Sequence, residues 1–401
     1  MNSFKWKFPI IYLCSVGIAN IGGWIYLLAI NLMVLEITGS ALAVVALYII
    51  KPITKLLVGP WAGSLIDRVS TKCIMVCLDV IRAILIFFIP FSDSILFIYM
   101  LVFFIQMAGA IFEPASFTYM TLLLPENIRH RFNAILSFVH SGAFVTGPLI
   151  AGILFMIGSL EEVLFVNVVI FLVCAALTLL LPRKITTATV ENSRITWLNI
   201  RNDWSLVLRF SRKAIPFFVL YMMFQTVMLL TAALDSMEVT FAKKVLHLTN
   251  TGYGSLVTIA GIGFLVGAIC TNVLVRFAPA KLLMSVGTLF VSVGYVIYSF
   301  STAYLLASIG FFVLSFFLSI ANTGFMTYIQ SNIPAEMMGR ISSLYEMLSS
   351  VIQIIVILFL GLASQWFSVK EVVICGSILM FCVALYLILL SANQLKKKLV
   401  L

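Results

Sequence analysis

Seven charged side chains stand in stretches of sequence that are otherwise almost wholly apolar: Lys51, Lys55, Asp79, Arg82, Glu113, Asp235 and Glu238. Lys51 with Lys55, Asp79 with Arg82, and Asp235 with Glu238 are spaced three or four residues apart, which puts each pair on one face of a helix. At the centre of a membrane-spanning helix a Lys, Arg or Asp costs about 2.5 to 3.5 kcal/mol, so such residues face a protein interior or a wet cavity. A carboxyl group in that setting responds to desolvation on one side and to a neighbouring cation on the other, and exchanges a proton as its surroundings open and close. Glu113 is the leading candidate for this work, with Lys55 or Arg82 as partner and Asp235 or Glu238 as a second acceptor. Two competing readings stand beside it: Asp79 and Arg82 as a structural ion pair, and Asp235 with Glu238 as the rim of a loop. Lys51 and Lys55 suit an anionic or carboxylated ligand better than a strictly cationic one.

Other chemistries lack their residues. No Gly-Lys dipeptide occurs, so a phosphate-cradling loop ending in Gly-Lys-Ser/Thr is excluded. Neither His-Glu-x-x-His nor Gly-x-Ser-x-Gly is found, and His130, His140 and His247 sit in different segments. His140 reads as a packed helix residue rather than a relay. The seven cysteines lie in apolar runs, and Cys73 with Cys77 has no His or Asp beside it to complete a metal-ligand set. No metal and no cofactor is expected.

The elements that position these residues follow from composition. Of 401 residues 62% are hydrophobic and 10% charged, against about 25% charged in soluble domains, which excludes a soluble enzyme. Eleven breaks in hydropathy divide the chain into twelve apolar stretches, the first expected to be a membrane span rather than a signal peptide. Lipid offers no hydrogen-bond partners, so each stretch is expected to be a helix. Nineteen of the 25 Lys and Arg fall in the breaks on one side and three on the other, placing both termini in the cytoplasm. Basic charge spread over many loops makes no nucleic-acid footprint.

The long central break divides the spans six and six, giving bundles at 1–181 and 215–401 joined by a linker at 182–214. In the linker Trp197, Ile200, Trp204 and Val207 recur at helical spacing among arginines; an interfacial helix and a flexible tether are both open. A shift of 209 residues superposes Thr118-Tyr119 on Thr327-Tyr328, Pro125 on Pro334, Lys72 on Lys281, Arg131 on Arg340 and Gly152 on Gly361. The expected fold is an all-α membrane protein of twelve transmembrane helices in two pseudo-symmetric six-helix bundles, an architecture suited to alternating access.

Gly63-Ser64-Leu65-Ile66-Asp67-Arg68-Val69-Ser70-Thr71-Lys72 resembles the signature of the major facilitator superfamily, Gly-x-Leu-Ala-Asp-Arg-x-Gly-Arg-Arg/Lys, with Ser70 in place of its second glycine. Asp79-Val80-Ile81-Arg82, Phe112-Glu113-Pro114-Ala115, and Ile333-Pro334 with Gly339-Arg340-Ile341 are similar to the macrolide-efflux and siderophore-export branch of drug:proton antiporters. Gly142 and Gly147-Pro148-Leu149-Ile150-Ala151-Gly152 resemble the antiporter motif. In the fourth span no arginine stands where many drug antiporters have one, and the second half lacks the signature Asp.

The resemblance implies a latch of Gly63, Asp67, Arg68 and Lys72 against the start of the eleventh span near Arg340, with Glu346 close by. An Asp at a helix N-terminus is favoured by the free N–H groups and the dipole there. It implies a small-residue face at Gly142, Gly147, Pro148 and Gly152. It further implies a bacterial plasma-membrane exporter, monomeric, whose partners are lipid, protons and an amphiphilic small molecule, driven by the proton gradient. A same-fold lysophospholipid or solute transporter is the first alternative; a membrane-embedded enzyme or a non-transporting sensor is the second.

Overall fold

The computed structural model describes residues 6–92, 94–182, 215–333 and 335–399, and twelve α-helices run through them. They are α1 (Lys7–Thr38), α2 (Ala41–Arg68), α3 (Thr71–Phe88), α4 (Ile95–Leu123), α5 (Glu126–Ile157), α6 (Leu160–Leu179), α7 (Ile215–Lys244), α8 (Asn250–Leu274), α9 (Ala280–Ser299), α10 (Tyr304–Asn332), α11 (Ala335–Trp366) and α12 (Val369–Leu399). All twelve are long and apolar enough to cross a membrane, at about 20 residues for a 30 Å hydrocarbon layer. Helices α5 and α11 begin inside the breaks expected at 125–131 and 331–340, because the charged segments that interrupt hydropathy continue the helix beyond its apolar portion. The linker residues Trp197 to Val207 lie outside the described residues.

The repeat at 209 extends to the helix boundaries. Starts at 41, 71, 95, 126 and 160 reappear at 250, 280, 304, 335 and 369. The caps repeat too. Ser159 Oγ accepts from the Glu162 amide at 3.3 Å while the Glu162 carboxylate accepts from the Ser159 amide at 2.8 Å. Ser368 and Glu371 form the same reciprocal box at 3.2 and 2.9 Å, satisfying amides that a helix start leaves unbonded. Between α1 and α2 the chain reverses at Gly39, whose φ of 61° is one that glycine adopts without steric cost.

The chain divides into two compact units, Met1–Glu191 with Thr249–Thr258, and Asn192–Leu248 with Ile259–Leu401. In the first, α1 packs on α5 and α6, α3 on α4 and α6, and α2 on α4. In the second, α7 packs on α11 and α12, and α9 on α10 and α12. The aromatic cores also correspond. Tyr12 stacks on Tyr119 at 6.3 Å and shares a hydrogen bond with Ser116 Oγ at 2.7 Å. At the positions 209 residues on, Tyr221 meets Phe325 at 5.2 Å, and Tyr328 stacks on Phe217 at 5.3 Å.

The units differ in how their helices approach. In the second, Gly287, Gly294, Gly310 and Gly324 line the seam between α9 and α10, where an added Cβ at Gly294 meets the Leu314 backbone nitrogen at 2.5 Å. The first unit has Leu78, Leu85, Leu101 and Ala115 at the corresponding places. Gly263 and Gly267 of α8 lie against the Phe312 and Phe316 carbonyls of α10 in the same way.

Candidate functional site

The first unit gathers charge around α2, α3 and α4. Asp79 is fully buried and Arg82 nearly so, and their side chains meet at 3.4 Å. The guanidinium lies 4.6 Å over the Phe112 ring of α4 and 5.5 Å from the Phe171 ring of α6, so two aromatic faces hold it in addition to the carboxylate. Gly109 of α4 leaves room for it: a Cβ there stands 3.5 Å from Nη2. Asp79 Oδ2 is buried with no hydrogen-bond partner.

Glu113 is exposed on α4 and lies within electrostatic reach of Lys51 on α2 and His140 on α5. Lys51, itself exposed, is also influenced by Lys55, one turn on. Pro114 follows Glu113 directly and lacks the amide that would bond to the Ala110 carbonyl, which loosens the helix at that carboxylate. Of the two cations expected beside Glu113, Arg82 makes its ion pair with Asp79. His140, expected to be only a packing residue, lies in the field of Glu113. Sequence reasoning had no means to join α5 to α4 at this point.

None of these charges recurs in the second unit. The positions 209 residues beyond Lys51, Lys55, Asp79, Arg82, Glu113 and His140 hold Ala260, Phe264, Thr288, Val291, Asn322 and Ser349. The repeat supplies the helices, and the charges are particular to one half.

In the second unit Asp235 and Glu238 of α7 face Tyr295 and Tyr298 of α9. The Tyr295 hydroxyl donates to the Asp235 carboxylate, and the Tyr298 hydroxyl donates to the Glu238 carbonyl at 3.2 Å. Both tyrosines are buried, so the two acids border an interior contact, not only a loop rim. The matching i, i+3 spacing of the tyrosines was the available signal. Tyr295→Phe removes the donor to a carboxylate and is expected to cost about 1.5 to 3 kcal/mol, read as a lowered unfolding midpoint in detergent.

The side chains of Gly63, Asp67, Arg68, Arg340 and Glu346 lie outside the described residues. Lys72 has a different employment from the expected latch: its Nζ donates to the Leu179 and Leu181 carbonyls at 2.7 and 2.5 Å. A cation at the C-terminal end of a helix satisfies carbonyls that have no amide to bond and opposes the negative end of the dipole. Lys72→Gln is therefore expected to lower stability by about 1 kcal/mol, with Lys72→Arg retaining most of it in the same thermal assay. On α5, Gly147 abuts Trp24, where an added Cβ comes within 2.6 Å of the indole-bearing Cβ. Gly152 packs against Gly254, and Pro148 lies inside the helix. Gly142 meets open space, so the tight small-residue face expected from 142 onward begins one turn later, at Gly147.

A groove of about 660 Å³ between α2 and α4 is lined by apolar residues including Ile49, Ile50, Ile53, Phe97, Met100 and Phe103. Ile49 and Ile53 lie two residues from Lys51 and Lys55, roughly 200° round the helix, so the groove and the lysines occupy opposite faces of α2. Cys73 and Cys77 approach to 4.0 Å between sulfurs. Among the described residues no three His, Cys, Asp or Glu cluster as a metal site.

The sequence matches the model of the Major Facilitator Superfamily over residues 12–357. The chain belongs to the major facilitator superfamily and is a multi-pass membrane transporter of that family. It is similar to the uncharacterized MFS-type transporter YfiS of Bacillus subtilis (strain 168), with 22% identity over 380 residues that cover 92% of this chain and 89% of that protein. Its fold is similar to that of the nucleoside transporter NupG, at a TM-score of 0.75 with 11% identity, covering 97% of this chain and 99% of the other. It is also similar to a bacterial homolog of the human lysosomal transporter Spinster, at a TM-score of 0.69 and 14% identity, covering 98% and 96%.

Proposed function

We propose that this transporter exports an amphiphilic small molecule across the bacterial plasma membrane in exchange for protons, with both termini cytoplasmic. The observation that carries the reading is the set of charges in the first unit: Glu113 in the field of Lys51 and His140, in helices whose counterparts in the second unit are uncharged at those positions. Charge in a membrane-spanning helix is costly and is kept where it works. Glu113 is the group that takes up and releases the proton. The exposed lysines Lys51 and Lys55 receive an acidic or carboxylated part of the substrate, and Asp235 is the second acceptor, reached through Tyr295. The macrolide-efflux and siderophore-export resemblance supports a substrate with a large apolar body.

The energy available sets the scale of the test. One proton moving down about 100 mV supplies about 2.3 kcal/mol, enough to hold a roughly 50-fold gradient of an uncharged substrate. A susceptibility panel of structurally distinct antibiotics in an efflux-deficient host identifies an exported compound. Flux of that compound in proteoliposomes with an imposed pH gradient then tests coupling. Wild type is expected to build the gradient and Glu113→Gln to lose it. Gradient-driven export unchanged in Glu113→Gln removes Glu113 from the role, and uptake in place of efflux favours the solute-importer alternative.

A further inference from the structure

We infer that Arg82 is a shared cation, positioned to neutralise either Asp79 or Glu113, so that these two carboxyl groups hold one proton between them. The inference deepens the proton-coupling reading of Glu113 and rests on it for its role in transport.

The geometry begins with an incomplete ion pair. Arg82 touches Asp79 through one nitrogen and one oxygen at 3.4 Å, a long contact between groups that usually pair at about 2.7 to 2.9 Å. Asp79 Oδ2 is buried without a partner. A buried carboxylate oxygen left unbonded is costly, and the cost disappears when that oxygen carries a proton. Arg82 itself stays charged, because a guanidinium does not deprotonate in proteins. A proton on Asp79 Oδ2 therefore leaves a buried cation in need of an anion.

The next anion is one helical turn away. Arg82 Nη2 stands 3.5 Å from the Cβ position of Gly109, and Glu113 follows Gly109 by four residues on α4. Residues four apart lie on one helix face, and each side chain leans toward the helix N-terminus. The Glu113 side chain thus leans toward the place that Gly109 opens for the guanidinium. Phe112, beside Glu113, supplies the ring over which the guanidinium can turn without losing its aromatic contact. The other ionisable groups around this centre are Lys51 and Lys55 of α2, His140 of α5 and Cys174 of α6. Tyr12 and Tyr119 are engaged with Ser116 and Pro182. The exchange makes and breaks only O–H bonds: the proton that leaves one carboxyl goes to water or to the other carboxyl, and Arg82 changes partner.

The test reads the Glu113 proton directly, without a substrate. Infrared difference spectra of the full chain in lipid, taken across pH, contain the Glu113 carboxyl band, assigned by its loss in Glu113→Gln. In Asp79→Asn, Arg82 faces Glu113 alone, and the band is expected to appear about one pH unit or more toward acid. In Arg82→Gln, Glu113 loses its cation, and the band is expected to move toward alkali by a similar amount. Gly109→Val places methyl groups between guanidinium and carboxyl while leaving the buried pair in place. It is expected to move the band toward alkali, which keeps the test decisive should either charge variant fail to fold. A structural pair with no link to Glu113 leaves the band where it is in all three variants. That result, or shifts of one sign throughout, overturns the inference. Because the band is read at rest, an absence of proton-driven flux would count against the export reading and leave this result standing.

Discussion

Gly294→Leu is expected to abolish the folded second unit. The Cβ alone would stand 2.5 Å from the Leu314 backbone nitrogen and 2.7 Å from its Cα, on a helix that cannot yield without breaking its own seam. Overpacking a filled interior costs about 1 to 3 kcal/mol where side chains can shift, and more where the obstacle is backbone. Lipid-embedded helices gain little from burying apolar surface, since the hydrocarbon is as apolar as the interior, so close contact is what holds them. The variant is expected to be lost on extraction into detergent, while Gly294→Ala survives with a lowered unfolding midpoint. Gly23→Ala is the control: nothing lies within 4 Å of its Cβ position, and a helical glycine replaced by alanine gains about 1 kcal/mol. Thermal unfolding followed by tryptophan fluorescence ranks the three. Equal loss for Gly294→Ala and Gly23→Ala would show that the seam is not under the constraint described.

Tyr119→Ala carries the second large effect. The side chain has 0% exposure and is among the largest fully buried groups. Its ring stacks on Tyr12, and its hydroxyl donates at 2.8 Å to the Pro182 carbonyl, just past the end of α6. Truncating a large buried aromatic costs about 3 to 5 kcal/mol in soluble cores. The lower end, about 3 kcal/mol, is expected here because the lipid reference state removes the hydrophobic share and leaves lost dispersion contacts. Tyr119→Phe keeps the stack and forfeits one hydrogen bond, about 1 kcal/mol. Chemical denaturation of the purified protein in mixed micelles measures both, and a Tyr119→Phe loss as large as that of Tyr119→Ala would move the weight from the ring to the hydroxyl.

The twelve helices were legible because lipid enforces them: every break in apolar sequence either ends a helix or, at Glu126 and Ala335, begins one in its charged portion. The repeat at 209 was visible in a few residues and proved to run through the helix starts and the Ser159 and Ser368 caps. Within the site, Asp79 with Arg82 was readable as a pair from i, i+3 spacing on one helix. What spacing cannot show is which residues distant in sequence face each other. Phe112 and Phe171 around Arg82, His140 near Glu113, and Tyr295 on Asp235 all depend on helix packing. Lys72 belonged to a recognised motif, and the motif gave no hint that its ammonium closes the end of α6. Gly142 and Gly147 look alike in sequence and differ because only one has a neighbouring helix against it.

The glycines between α9 and α10, set against Leu78, Leu85, Leu101 and Ala115 in the other half, imply a division of labour between descendants of one duplicated bundle. One copy spent its mutations on stiffness and became a frame whose two central rods cannot slide. The other kept bulkier, more compliant joints and accumulated the ionic groups, whose rearrangement needs give. Stiffness and chemistry are thereby inherited separately, and a substitution that alters one half's charges can be accepted without loosening the frame.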